Sequence, residues 1–130
     1  MADKVVTVEI NVKSDGLILA TSKAFTGSSQ LILSESIPDE STDLAINCAI
    51  DVSAFQLVVF GSTQDLTIEV NSGSVPDFTL ALKANQPHIE MANQCFASLL
   101  TDDTVTLYVT NASGEAATLD VLALTDATPA

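Results

Sequence analysis

The chain has 130 residues, with four lysines, no arginine and seventeen acidic residues, for a formal net charge of −13. That length makes one domain. So negative a chain excludes nucleic-acid recognition and disfavours an anionic membrane, because phosphates, base edges and acidic lipids all ask for cations. Hydrophobic residues reach 47% and charged residues 16%, so the chain carries a real core and is not a disordered acidic segment.

Met1-Ala2-Asp3-Lys4 leads straight into an alternating pattern. It lacks the basic start, apolar centre and small-residue cleavage site of a secretory signal, so synthesis without export is expected. No stretch approaches the roughly 20 apolar residues of a membrane helix. Val6, Val8, Ile10 and Val12 alternate with Thr7, Glu9, Asn11 and Lys13, the pattern of a half-buried strand. Leu17 to Ala20 and Leu31 to Leu33 are short apolar runs, and Pro38-Asp39-Glu40-Ser41 reads as an exposed acidic loop.

Leu44, Ile46, Cys48 and Ile50 restore period two, with Asp43, Ala45, Asn47 and Ala49 opposite. Phe55 to Phe60 is nearly continuous, as in a central strand buried on both faces. Leu66, Ile68 and Val70 alternate next, followed by Phe78, Leu80 and Leu82. From His88 a strand runs to about Met91, and an irregular loop or one short helix is expected from there to Leu100. Val105, Leu107 and Val109, then Leu119 and Val121, complete the pattern, and Thr125 to Ala130 reads as a flexible tail or an arm that orders on a partner. Turn residues punctuate these runs at Asp15-Gly16, Gly27-Ser28-Ser29, Gly61-Ser62, Asn71-Ser72-Gly73 and Asn111-Ala112-Ser113-Gly114. The expectation is all-β: a single antiparallel β-sandwich or jelly roll of about eight to ten strands over residues 1–130. A parallel α/β fold needs crossovers of about a dozen residues that the spacing does not allow.

Chemistry is sparse. His88 stands alone as the one histidine, and structural duty is the expected role. Cys48 and Cys95 lie far apart outside any CxxC spacing and read as buried free thiols, Cys48 in phase with its apolar neighbours. Ser28, Ser62 and Ser72 sit beside glycines as turn residues do, and no GxSxG or SxxK pattern supports a hydrolase. A glycosidase or carbohydrate-binding module is disfavoured by the lack of tryptophan and an aromatic content of 5%. Asp39, Glu40 and Asp43, and separately Asp102-Asp103, are the acidic clusters a calcium site would draw on. They lack EF-hand spacing and read as solvated loops. No phosphate-cradling glycine motif occurs. The expectation is therefore a non-enzyme with no catalytic, cofactor-binding or metal-binding residues, no cofactor, and a fold independent of metal.

Three stretches carry a resemblance. Ile50-Asp51-Val52-Ser53-Ala54 through Gly61-Ser62-Thr63-Gln64-Asp65-Leu66-Thr67-Ile68-Glu69-Val70-Asn71 is similar to small virion proteins encoded near tailed-phage capsid genes. So are Leu80-Ala81-Leu82-Lys83-Ala84-Asn85-Gln86-Pro87 and Leu107-Tyr108-Val109-Thr110-Asn111-Ala112-Ser113-Gly114. The resemblance spans the C-terminal part of the chain and consists of strand and turn patterns. Where many such proteins carry a tryptophan after the proline, this chain has His88-Ile89-Glu90. It implies a capsid decoration (cement) protein on the capsid exterior, made in the host cytoplasm. The expected partners are the major capsid protein and further copies of itself, in a homo-oligomer with a trimer favoured, and not nucleic acid or membrane. Other virion components (tail, head-completion or fibre-associated) and a cellular β-sandwich binding module stand as alternatives.

Overall fold

A computed structural model describes residues 4–92 and 102–126. The described chain folds as β1 (Lys4–Lys13), β2 (Ile18–Gly27), β3 (Ser29–Ile37), β4 (Leu44–Ile50), β5 (Phe55–Ser62), β6 (Leu66–Val70), β7 (Thr79–Leu82), β8 (His88–Met91), β9 (Thr104–Thr110) and β10 (Ala117–Thr125). All pairings are antiparallel, so the all-β sandwich expected from the period-two pattern is what forms.

Eight strands form two four-stranded sheets, ordered β3-β10-β5-β8 and β4-β9-β6-β7. Four pairings nest inside one another: β3 with β10, β4 with β9, β5 with β8, and β6 with β7. This is a long strand pair rolled up on itself, the winding of a jelly roll. The inner faces of both sheets meet in one core. Ile37, Val58, Phe60, Leu119 and Val121 come from the first sheet, and Ile46, Cys48, Ile50, Ile68, Leu107 and Val109 from the second. β5 lies between β10 and β8, and Leu57, Val58 and Phe60 along it are fully buried, as expected of a central strand.

Two asparagines that read as turn markers close the ends of the roll. Asn111 is fully buried. Its Nδ2 donates to the carbonyls of Ile37 (3.1 Å), Pro38 (3.3 Å) and Glu115 (2.8 Å), while its Oδ1 accepts from the Ser113 N–H and hydroxyl. Asn71, at φ 68°, donates to the Asp77 carboxylate and the Asp103 carbonyl and accepts from the N–H groups of Val105 and Thr106. That grip lies beside a register shift between β4 and β9. There the alternation slips: Thr104 points into the core and Val105 is 64% exposed, although Val105 shares the sequence phase of buried Leu107.

The first two strands stand apart. β1 and β2 form a separate two-stranded hairpin, with ten cross-strand pairs from Lys4↔Gly27 to Lys13↔Ile18. At about 3.3 Å per residue, it is roughly 30 Å long. A turn at its far end is closed by the Ser14 N–H donating to the Leu17 carbonyl at 2.8 Å. Its near end rests on the outer face of the β3-β10-β5-β8 sheet. There Val6, Val8 and Phe25 pack with Leu57, Leu124, Met91 and their neighbours in a second, smaller apolar cluster. Gly27 makes the crossing possible. A Cβ at that position would lie 2.5 Å from the Thr125 carbonyl oxygen, and the next residue, Ser28, donates its N–H to that same oxygen at 2.9 Å.

Candidate functional site

β1 follows the period-two rule as faithfully as any strand of the sandwich, and the hairpin's register puts its apolar side chains on one face along its whole length. Val6 pairs with Phe25, Val8 with Lys23, Ile10 with Thr21 and Val12 with Leu19. The opposite face is polar or small for most of its length, with Thr7, Ala24, Glu9, Ser22, Asn11 and Ala20. Only the base of the apolar face is covered. Ile10 is 38% exposed, Val12 49% and Leu19 50% on that face, and at the tip Leu17 is 60% exposed and Ile18, which pairs with Lys13 on the opposite face, 72%. The half-burial expected of Ile10 and Val12 is therefore corrected. Alternation places them on one face, but no part of the described chain lies over them. Single exposed aliphatics are ordinary, but this many together make a patch on the order of several hundred Å², as interaction surfaces do.

Charge divides along the same line. Residues 4–27 hold Lys4, Lys13 and Lys23 against Glu9 and Asp15, a net charge of +1, and the rest of the chain carries −14. Lys23 folds back over the Phe25 ring, its Nζ 5.0 Å from the centroid, so its stem covers apolar surface while its charge stays at the arm.

The sheet under the arm offers a second apolar strip. Ile32 pairs with Leu122, Leu122 with Val59, and Val59 with Ile89, forming one row on the outer face. The arm's base makes Leu122, Val59 and Ile89 part of its cluster, but Ile32 at the sheet edge is 70% exposed. Asp120, exposed, stands on the same face two residues from Leu122.

Residues considered for chemistry are placed otherwise. His88 points into the sandwich, its Nε2 2.7 Å from Glu90 Oε2, with its ring tilted against Phe60. Glu90 is fully buried, and the half-buried histidine is a hydrogen-bonding partner for its carboxyl group. Cys48 is buried and free, as expected, and desolvation raises its thiol pKa from 9.0 to about 11. Cys95 lies outside the described residues, as does the segment expected to be loop or helix after Met91 and most of the expected tail.

Asp39, Glu40 and Asp43 do not converge, and among the described residues no three His, Cys, Asp or Glu side chains are grouped to hold a metal ion. Asp43 instead faces Glu69, and sharing a hydrogen bond with it raises the Glu69 pKa. Asp103 accepts from the Val52 N–H at 3.0 Å. The Ser53 hydroxyl and N–H on Asp51 hold that carboxyl below its usual range. Surface hollows are open. One of about 360 Å³ is lined by Gln64, Asp65, Thr67, Lys83 and Ser113, with Lys83 Nζ 3.7 Å from Asp65.

No protein-family model matches the chain, and no curated protein or solved structure matches it.

Proposed function

We propose that the chain is a structural protein of a tailed-phage virion. In this reading it is a decoration protein that binds the exterior of the major capsid protein lattice and stabilises the head. The observation that carries the assembly role is the arm, which extends a row of large aliphatic side chains beyond a sandwich that already has its own closed core. Such a surface suits a molecule that works by being covered. The capsid as partner comes from the strand and turn motifs of residues 50–71, 80–87 and 107–114. The jelly roll is shared by capsid, lectin and other domains and by itself selects no function. A net charge of −13 keeps the free subunit soluble and discourages binding to DNA in an infected cell.

Incubation with empty capsids of the same phage, followed by pelleting and quantitation, tests the reading. Saturable binding at hundreds of copies per head, with heads that then resist heat or osmotic rupture, is the expected result. Failure to bind, or a location on the tail in a few copies, would transfer the chain to the tail or head-completion components.

A further inference from the structure

We propose that the arm of one copy docks on the outer face of the β3-β10-β5-β8 sheet of a second copy, over the strip that ends at Ile32. This contact belongs to the free protein and does not rest on the capsid reading.

A two-stranded hairpin is marginal in water unless its apolar face packs on something. Within one chain the solution is already visible at the base of the arm, where Val6, Val8 and Phe25 lie on Leu57 and Leu124. Farther out the same arm face continues as Ile10, Val12 and Leu19, and the same sheet face continues through Leu122 and Val59 to Ile32. In a single copy the distal arm face stays open, and so does the Ile32 edge of the strip. A second copy's arm laid beside the resident arm extends the existing interface with the same aliphatic chemistry on both sides.

Charge selects a second copy as the occupant. Two bodies (residues 28–130) of −13 repel one another, and the arm, at +1 over residues 4–27, is the part of the chain that can approach an acidic body without that penalty. The strip carries Asp120 on its face, and the charged residues on the apolar face of the arm are Lys4 and Lys23, while Glu9 lies on the opposite face. Each copy has one arm and one strip. The contact is thus head-to-tail, and it closes into a ring when the rotation allows.

Sedimentation velocity of the full chain over a micromolar concentration series reads the contact, using Leu19→Asp on the arm and Ile32→Asp on the strip. Both side chains are substantially exposed, and thermal melts verify that the sandwich survives. If either aspartate variant unfolds, Leu19→Thr and Ile32→Thr replace them, since threonine suits a strand. The wild type is expected to self-associate, and each variant alone to lose at least about tenfold in association constant. An equimolar mixture of the two should recover association, because one supplies an intact strip and the other an intact arm. A wild type that stays monomeric overturns the contact. So does an Ile32→Asp variant that associates normally, which would mean arms pairing with arms, or a mixture that stays dissociated. Capsid pelleting is a separate measurement, so the failure of one reading is distinguishable from the failure of the other.

Discussion

The sandwich and the arm are built from the same material, antiparallel strands with every second residue apolar, yet only one of them is closed. In β6, Leu66, Ile68 and Val70 are all buried because β4, β9 and β7 share their sheet and a second sheet lies across the core. In β1, Val6, Val8, Ile10 and Val12 repeat the pattern with a single neighbouring strand and a second layer only at the base. Alternation therefore sets which face is apolar, while topology sets whether anything covers it. The charge follows the same division: the acidic residues concentrate on the closed part, and three of the four lysines sit on the open one.

The sharpest test of this contrast is a pair of truncations. Phe60 is 1% exposed in the middle of β5, and Phe60→Ala should destabilise by about 3–5 kcal/mol, the usual cost of a large core cavity. Ile18→Ala, at the far end of the arm, should change the stability of the monomer by less than about 0.5 kcal/mol. Urea midpoints measured at low protein concentration check both. A large loss from Ile18→Ala would mean the arm is folded onto the body in solution.

A second effect belongs to the sandwich alone. With a folded pKa of about 11 against an ordinary 9.0, the Cys48 thiol stays protonated in the native state after the unfolded chain has begun to ionise. Its contribution is complete below pH 9 and is lost as pH rises towards 11, by about 2–3 kcal/mol. Comparing wild type with Cys48→Ala at both ends of that window isolates the thiol from the other groups of the chain. The wild type should lose more stability than the variant, and equal losses would place the thiol in water.

The joint between the two regions is Gly27. In Gly27→Ala the new methyl meets a backbone oxygen, which cannot rotate away as a flexible side chain would. The arm base must lift from Leu124, at a cost of about 1–3 kcal/mol. Faster proteolysis within residues 4–27, with the sandwich fragment left intact, is the accompanying sign. Unchanged cleavage would show that the bend tolerates a side chain.

These contrasts mark what the sequence reveals and what it withholds. The inward phase of Ile46, Cys48 and Ile50, the central position of β5 and the strand ending at Met91 were legible, because burial on one face imprints period two and burial on both faces removes it. The exposure of Ile10 and Val12 was not, since β1 and β6 look alike until their neighbours are known. Val105 misled for a related reason: the register shift against β4 changes which face a residue takes, and such shifts leave no trace in hydropathy. Asn71 and Asn111 were legible as turns, but their grip on distant carbonyls and N–H groups depends on loops that only the folded roll brings together. The lysine cluster in residues 4–27 was present in the sequence as a charge asymmetry. It acquires meaning once those residues are seen to form a separate element.

The same register shift supplies the smallest effect, one that should strengthen the closed region. It turns Thr104 inward opposite Ile50, and among the described residues its buried Oγ1 has no hydrogen-bond partner. A hydroxyl taken out of water without a partner costs free energy that a methyl of similar size does not, so removing it is favourable even though one polar group is lost. Thr104→Val should raise the unfolding free energy by about 1 kcal/mol, seen as a higher urea midpoint at unchanged slope. The backbone in the shift is held by Asn71 and not by the Thr104 side chain, so the geometry should survive the substitution. A lower midpoint would mean that the hydroxyl does find a partner in solution. The slip in β9 would then be a polar joint held from both sides, and the sandwich would be less completely closed than its contrast with the arm suggests.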